Sequence, residues 1–288
     1  MFKVVRKSGE CSHINRFKMY NKRFQMAVFA KKILMSIFRA FTFASLGVFF
    51  LSMCRTEDPT LPTDPNPTDT TVVHPPPPPP GVDEKIDILA LGDSYTKGES
   101  VPAAQNFPNQ LRDSLVAAGR KVTGLRIIAQ TGWRTDQLKS AIAQASDLQD
   151  STFSIVTLCI GVNNQYQNGN FNTYKTEFEQ LLQTAIARAG GRKDRVFVLS
   201  IPDWAYTPYG QSYPGGPLQI SQKIDQYNNA NYSIAQQYQV NYVNITGVSR
   251  QGLSQPGLVA SDGLHPSAQQ YTQWVHMLMP LVQNKLGN

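Results

Sequence analysis

The sequence is poor in cysteine and histidine, with three cysteines and four histidines in 288 residues. Cys11 lies in a basic N-terminal stretch, and Cys159 lies in an apolar run, where a buried and inert thiol is expected. No pair of cysteines is therefore left to build a disulfide framework in the body of the chain. An internal repeat is also lacking, which argues against a solenoid or a propeller.

The N-terminal region has no apolar run long enough to cross a bilayer as a helix, which needs about 20 residues. Its uncharged run at residues 41–53 is shorter than that and follows Lys31, Lys32 and Arg39. A basic region followed by a short apolar core is typical of a secretory signal. We therefore interpret residues 1–53 as a leader for export.

Cys54 directly follows this apolar core. The sequence Leu51-Ser-Met-Cys54 resembles a bacterial lipobox, in which the cysteine thiol receives a diacylglyceryl group after export. Met53 departs from the pattern, because the residue before the cysteine is usually small. A lipidated Cys54 predicts a membrane-anchored lipoprotein in the periplasm or at the surface of a bacterium. A plain cleaved signal and an uncleaved anchor remain the alternatives.

Residues 54–83 are rich in proline, threonine and aspartate, and they include six consecutive prolines at 75–80. Such a segment cannot bury enough apolar surface to fold, and its proline run favours an extended polyproline II conformation. We predict a disordered, semi-rigid linker that holds a domain away from a surface.

The body of the chain lacks an excess of positive charge. Residues 1–53 contain ten basic residues and one acidic residue, whereas the remainder contains 17 basic and 19 acidic residues. The formal net charge of +7 therefore arises from the leader. No nucleic-acid partner is expected on this basis.

Residues 84–288 alternate short apolar runs with helical patterns and predict one domain. Strands are predicted at residues 85–91, 123–129, 153–160, 195–201 and 241–245. Helices are predicted near residues 106–118, 135–145, 173–189, 218–238 and 267–286. Strands that are apolar almost throughout and separated by helices indicate an α/β domain with a five-stranded, mostly parallel sheet covered on both faces.

In an open sheet of this kind, ligands bind beyond the carboxyl ends of the strands. The residues that follow the predicted strands are Gly92–Tyr95, Thr131–Arg134, Gly161–Asn164, Pro202–Trp204 and Ser261–Pro266. A serine hydroxyl in such a position becomes a nucleophile only when a base takes its proton and a third group orients that base. A nucleophilic site in these segments therefore needs a serine, a base and an acid that orients the base.

His265 is the candidate base for Ser94. It follows a glycine turn, and Asp262 stands three residues before it, so one loop can bring the two side chains together. His74 lies in the predicted linker. His276 lies among apolar residues of a predicted helix, where a packing role is expected.

Acyl transfer also needs N–H donors aimed at the oxygen that becomes negative. The Ser94 amide, the Gly132 amide and the Asn163 side-chain amide follow three predicted strands. Taken singly, each of these residues is typical of a turn or a cap. Their combination with His265 and Asp262 favours an enzyme that attacks acyl esters.

Four short blocks carry a resemblance to a known family: Gly92-Asp93-Ser94, Gly132, Gly161-Val162-Asn163 and Asp262-Gly-Leu-His265. Their order and approximate spacing resemble those of the SGNH (GDSL-type) hydrolase superfamily. The resemblance extends over roughly residues 86–285. It implies a three-layer α/β/α, flavodoxin-like fold and hydrolysis of acyl esters or thioesters without a metal or another cofactor.

The resemblance also implies a role for each residue. Ser94 is the expected nucleophile, His265 the general base and acid, and Asp262 the group that orients His265. Ser94, Gly132 and Asn163 are expected to line the oxyanion hole.

Two positions depart from the family pattern. Tyr95 stands where the family name has leucine, at a position with no expected part in the chemistry. Asn164 replaces an aspartate that we interpret as a brace for the loop.

The segment 203–217 is expected to be a loop beside the site and is rich in aromatic residues: Trp204, Tyr206, Tyr209 and Tyr213. These rings either form a wall for an acyl chain or a sugar ring, or simply pack on one another. Trp133 and Tyr166 are also expected near the mouth. Arg134 either attracts an anionic head group or pairs with an acid on its own helix.

Three functions remain open at this point. The favoured one is an esterase or lipase acting on short acyl esters, including lysophospholipids. The others are a carbohydrate O-deacetylase of the same fold and a non-catalytic, surface-tethered binding protein. The intact Ser94, His265 and Asp262 argue against the binding protein.

Overall fold

The computed structural model describes residues 85–287 and contains one five-stranded sheet. Its strands are β1 Ile86–Gly92, β2 Val122–Ala129, β3 Ile155–Cys159, β4 Val196–Leu199 and β5 Asn241–Val243. Every pairing is parallel, and the order across the sheet is β2-β1-β3-β4-β5. This order is the doubly wound, flavodoxin-like one. The predicted α/β fold is therefore confirmed.

Five long helices in the described range match the predicted ones to within two residues at each end. They are α2 Phe107–Ala117, α3 Thr135–Gln144, α5 Phe171–Arg188, α7 Gly216–Tyr238 and α9 Ala268–Leu286. Several begin at a side-chain cap, as at Asn106, Asn170 and Ser267, whose oxygens accept hydrogen bonds from the first turn.

The helices form a layer on each face of the sheet. Connections between parallel strands are right-handed, so the chain changes faces when it leaves β1 for β2 and then returns to β3. Helix α2 packs against α9 in one layer, whereas α3, α5 and α7 lie side by side in the other. Sandwiched between them, the central strands are buried on both sides, which explains why they are apolar throughout. Cys159 in β3 is buried as predicted, and burial raises the pKa of its thiol.

Four short helices escaped prediction: α1 Ser94–Lys97, α4 Val162–Tyr166, α6 Pro208–Ser212 and α8 Thr246–Ser249. The segment expected to be a loop at 203–217 contains a 3₁₀ turn at Trp204–Tyr206 followed by α6. Thr207 caps α6, because its hydroxyl accepts a hydrogen bond from the Gly210 N–H at 3.0 Å. Helices of four or five residues are too short to show a periodic pattern in the sequence.

The predicted leader at 1–53, the predicted lipidation site Cys54 and the predicted linker to residue 83 lie outside the described residues. Within residues 85–287, no helix combines the length and the apolar character needed to cross a membrane. The same range holds no group of three or more histidine, cysteine or acidic side chains placed to bind a metal ion.

Candidate active site

A cavity of about 190 Å³ lies where β1, β2 and β3 end. Four of the residues expected to take part in catalysis line it: Ser94, Gly132, Asn163 and His265. Asp262 contacts His265 directly. The fold thus gathers at one cavity the groups that the sequence distributes over four separate segments.

Ser94 begins α1 immediately after β1 and is 4% exposed. Asp93 caps this helix, since its Oδ1 accepts a hydrogen bond from the Tyr95 N–H at 3.0 Å. A Cβ on Gly92 would collide with the Thr96 side chain and the Cys159 carbonyl. Glycine at the end of β1 therefore allows α1 and β3 to approach closely beside Ser94.

His265 and Asp262 form a close pair, with 2.5 Å between Nδ1 and Oδ2. The other carboxylate oxygen of Asp262 accepts hydrogen bonds from the backbone N–H groups of Leu264 at 2.9 Å and His265 at 3.0 Å. Burial raises the pKa of Asp262, but hydrogen bonds from Ser100, His265 and Leu264 outweigh it and bring the pKa to about 2. The ionised carboxylate accepts from Nδ1–H, which leaves Nε2 of His265 free to accept a proton.

Ser100 is a partner of this pair that sequence reasoning missed. Its hydroxyl donates to Oδ2 of Asp262 at 2.7 Å, the same oxygen that His265 contacts. Its backbone has φ 64°, in the left-handed region that residues other than glycine seldom adopt. No local sequence pattern identifies Ser100. Its left-handed backbone conformation and its contact with a residue 162 positions away both arise only in the folded structure.

The loop that carries His265 is held at several points. Val259 and Pro266 form an isolated antiparallel bridge, and the Ala260 N–H donates to the His265 carbonyl at 2.8 Å. The Tyr209 N–H in α6 donates to the Gly263 carbonyl at 3.0 Å. This last contact ties the aromatic segment after β4 to the loop of the His265–Asp262 pair.

Three N–H donors belong to residues that line the cavity. Among the described residues, the backbone N–H groups of Ser94 and Gly132 have no hydrogen-bond partner. Gly132 has φ 85°, a conformation that suits glycine. Asn163 donates one hydrogen of Nδ2 to the Trp133 carbonyl at 3.0 Å, which fixes the side chain and leaves its second hydrogen unused. These donors can stabilise negative charge on a bound carbonyl oxygen.

Asn164 occupies the position of the family aspartate and is 4% exposed. Its Oδ1 accepts from the Thr135 N–H at 3.1 Å, and its Nδ2 donates to Thr135 Oγ1 at 2.8 Å. The Thr135 hydroxyl in turn donates to Glu177 at 2.5 Å. The amide therefore braces the start of α3, because both of its polar atoms are used.

The residues expected to bind substrate divide into two groups. Tyr166 and Trp204 line the cavity, together with Tyr209. The side chains of Trp133 and Tyr206 do not line it and pack against the hydrophobic core instead. A residue can thus follow a strand and still direct its side chain inward.

Two further expectations concern charged or titratable residues. Arg134 pairs with Asp136 on its own helix at 2.8 Å, the second of the two alternatives weighed for it. His276 is exposed on α9, so the expectation of a packing histidine is wrong. The face of α9 that meets the core carries Tyr271, Trp274, Val275 and Leu278, and His276 points away from it.

Tyr95 lies beside the candidate catalytic residues, although the sequence pattern predicted no part for it in the reaction. It lines the cavity, and its ring meets the ring of His265 edge-on, with 5.8 Å between the centroids. It also packs edge-on against Trp274 at 6.5 Å. Tyr95 therefore limits how far the imidazole can move toward the core.

Four rings form an aromatic wall, which we define as Tyr166, Trp204, Tyr209 and Tyr213. Trp204 lies 5.0 Å from Tyr213 and 5.6 Å from Tyr166 between centroids. The hydroxyls of Tyr166 and Tyr209 are hydrogen-bonded at 2.8 Å, which joins α4 to α6. The four rings thus pack on one another, and those of Tyr166, Trp204 and Tyr209 also border the cavity.

The parallel sheet and the arrangement of the four sequence blocks around one cavity define an SGNH-type hydrolase. The chain belongs to the GDSL-like lipase/acylhydrolase family, whose model matches residues 90–273, more than half of the sequence. Hydrolysis of acyl esters is the activity that this membership assigns.

Solved structures with the same fold are distant in sequence. TesA matches with a TM-score of 0.55 and 15% identity, over 70% of this chain and 99% of its own. Axe2, an acetylxylan esterase from Geobacillus stearothermophilus, matches with a TM-score of 0.54 and 17% identity, over 70% of this chain and 95% of its own. The lipase/acylhydrolase from Enterococcus faecalis matches with a TM-score of 0.53 and 17% identity, over 68% and 94%. No curated protein matches the sequence significantly.

Proposed function

We propose that this chain is a serine-dependent carboxylic ester hydrolase that acts on short acyl groups, with Ser94 as the nucleophile. One observation carries the proposal: Ser94, the paired His265 and three unused N–H donors all belong to a single cavity. A binding protein has no need of this combination, whereas acyl transfer uses each part of it.

In the proposed mechanism, Ser94 Oγ attacks the carbonyl carbon of the ester while Nε2 of His265 takes the hydroxyl proton. The carbonyl oxygen becomes an oxyanion and accepts hydrogen bonds from the N–H donors of Ser94, Gly132 and Asn163. Asp262 stabilises the imidazolium that forms. His265 then protonates the departing alcohol, which leaves the acyl group on Ser94. Water attacks this acyl group while His265 takes a proton from the water, and His265 returns the proton to Ser94 Oγ as the acid departs.

The cavity supports a short acyl group. Its volume of about 190 Å³ is below the range of about 300–1,000 Å³ that is common for pockets that bind drug-sized ligands. Aromatic and aliphatic side chains supply most of its lining, with Val162 and Leu264 beside the rings of Tyr166, Trp204 and Tyr209. A short acyl group therefore fits this surface in size and polarity.

The proposal is tested with p-nitrophenyl acetate on the full chain. We expect Ser94→Ala and His265→Ala each to lower kcat by at least about 10³-fold, because each residue is needed for the same step. Asp262→Asn should also lower kcat strongly, with less effect on KM. His276→Ala is a matched control for loss of an imidazole, since His276 is exposed on α9 away from the cavity. Equal rates in the wild type and Ser94→Ala would overturn the assignment of the nucleophile.

We further propose that the chain acts outside the cytoplasm, tethered to a membrane through a lipid on Cys54. The support is the order of segments in the sequence: a basic and apolar leader, a cysteine, a proline-rich linker and then the hydrolase domain.

A further inference from the structure

A second cavity, of about 280 Å³, adjoins the one that holds Ser94. Tyr166 lines both cavities, and Tyr213 of the second packs on Trp204 of the first with 5.0 Å between ring centroids. Both cavities are bordered by α4 and by the segment after β4, which lie at the carboxyl edge of the sheet. A substrate that fills the acyl cavity can therefore extend past Tyr166.

The two cavities differ in their chemistry. The first is lined mainly by apolar groups, whereas the second carries the side-chain amides of Gln165, Asn168 and Gln219 and the ammonium group of Lys223. None of the described residues that line it carries a carboxylate. It thus presents hydrogen-bond donors and acceptors together with a single positive charge.

Gln165 is the buried part of this polar surface. It is 5% exposed, and its Oε1 accepts a hydrogen bond from Nε1 of Trp204 at 2.9 Å. That bond fixes the amide and leaves Nε2, which has no hydrogen-bond partner among the described residues. Because Gln165 lines the second cavity, this oriented and unused donor favours a ligand that accepts a hydrogen bond there.

The charge on Lys223 is already engaged. Its Nζ donates to Oδ1 of Asn168 at 2.9 Å, which places both groups at the cavity. Phosphate sites usually combine several cationic or backbone N–H donors. A single, engaged lysine among neutral amides suits a ligand rich in hydroxyl groups better than a phosphate.

We propose that this second cavity binds a sugar unit of an O-acylated carbohydrate while the acyl group occupies the cavity of Ser94. Amides pair with hydroxyl groups as both donors and acceptors, and the Tyr166 and Tyr213 rings offer apolar faces to the C–H groups of a sugar. The proposal rests on the proposed function, since it names the alcohol part of the same ester.

The first test compares two substrates on the full chain: an acetylated xylo-oligosaccharide and p-nitrophenyl acetate, which has no sugar. Gln219→Ala and Lys223→Ala should each lower kcat/KM for the acetylated sugar by about three- to tenfold more than for p-nitrophenyl acetate. Gln222→Ala, an exposed glutamine on the same helix, is the matched control and should not change the ratio of the two. An unchanged ratio in both test variants would overturn the sugar site.

The second test measures binding without turnover. Ser94→Ala is titrated with unacylated xylotetraose by calorimetry, and we expect binding that Gln219→Ala in the same background weakens at least threefold. Absence of binding, or binding that Gln219→Ala leaves unchanged, would contradict the proposal. Preferential hydrolysis of a lysophospholipid that depends on Lys223 would replace the sugar with a lipid head group.

These tests distinguish failure of the sugar site from failure of the proposed nucleophile. If Ser94→Ala retains activity on p-nitrophenyl acetate, the proposed nucleophile fails, whatever the xylotetraose titration gives. If Ser94→Ala is inactive but xylotetraose does not bind, only the sugar site fails.

Discussion

The carboxylate of Asp262 receives the Ser100 hydroxyl and the His265 imidazole on the same oxygen, at 2.7 and 2.5 Å. Two donors on one oxygen restrict the carboxylate more tightly than either does alone. Because the orientation of His265 depends on Asp262, we infer that Ser100 is a positioning residue for the proposed catalytic pair. The strained backbone at Ser100 is consistent with this role, since strain often collects at functional sites.

Ser100→Gly removes the hydroxyl and also suits φ 64° better than serine. We therefore expect unfolding stability to stay the same or to rise, while kcat for p-nitrophenyl acetate falls about three- to tenfold at a similar KM. Ser100→Asn should recover part of kcat, because asparagine tolerates this backbone region and keeps a donor.

If Ser100 has only a structural role, kcat should instead follow the melting temperature across the two variants. Thermal unfolding and steady-state kinetics on the same preparations distinguish the two cases. A Ser100→Gly variant with unchanged kcat would remove Ser100 from the positioning machinery.

Asp93 is a buried acid beside the nucleophile. It is 1% exposed, and among the described residues its Oδ2 has no hydrogen-bond partner. Burial raises the pKa of Asp93 to about 7, although hydrogen bonds from backbone N–H groups such as that of Tyr95 oppose the rise. The folded protein therefore holds a proton on this carboxyl that the unfolded chain releases near pH 4.

Stability should fall as the pH rises from about 4 to about 7, because the folded state binds more protons than the unfolded state in that window. One pKa unit corresponds to about 1.4 kcal/mol, so the rise from 3.8 to about 7 costs roughly 4 kcal/mol above pH 7. Asp93→Asn mimics the protonated acid and keeps an oxygen for the Tyr95 N–H, so it should lose most of this dependence.

Urea unfolding at pH 5 and pH 8 measures the effect. Asp150→Asn, at an exposed position, is the control and should keep the dependence of the wild type. If Asp93→Asn and the wild type lose the same free energy between the two pH values, the acid is not protonated in the folded state.

The long helices and the strands could be predicted from the sequence, whereas the short helices could not. The five strands and five long helices follow hydrophobic periodicity, and the Ser94, Gly132, Asn163 and His265 positions could be found because each lies just beyond a strand or a glycine turn. The short helices α1, α4, α6 and α8 depend on caps and contacts between distant segments. For the same reason, Ser100 was missed and the side-chain directions of Trp133 and Tyr206 could not be predicted.

The aromatic wall joins α4 and α6 across the edge of the acyl cavity. Tyr209 is 38% exposed, so its removal should leave the core intact. Tyr209→Ala deletes a ring of the wall and the hydrogen bond to Tyr166. We expect the variant to accept longer acyl chains. Each additional methylene group that fits in a hydrophobic pocket contributes about 1–3 kcal/mol of binding free energy.

The measurement is kcat/KM for p-nitrophenyl esters from acetate to octanoate. The ratio of hexanoate to acetate should rise about tenfold in Tyr209→Ala. Tyr232→Ala is the matched control, since Tyr232 is also an exposed tyrosine and does not line the cavity. An unchanged chain-length profile would mean that the wall does not limit the acyl group.

The distribution of charge divides the chain into regions with different tasks. Ten of the 27 basic residues precede residue 54, the linker to residue 83 is acidic, and residues 84–288 contain 16 basic and 14 acidic residues. The nearly balanced charge of the hydrolase domain therefore supplies little electrostatic attraction to an anionic membrane. A lipid on Cys54 would then be the means of retention, and the proline-rich segment would set the distance from the surface.

Cys54→Ser tests this retention, because serine lacks the thiol that would carry the lipid. We expect the variant to move from the membrane fraction to the soluble fraction of cells that express the full chain, with hydrolysis of p-nitrophenyl acetate moving with it. Cys11→Ser is the matched control, since Cys11 lies inside the predicted leader and should leave the partition unchanged. Membrane retention of Cys54→Ser would contradict lipidation and would favour the uncleaved anchor, in which residues 41–53 hold the chain without a modified cysteine.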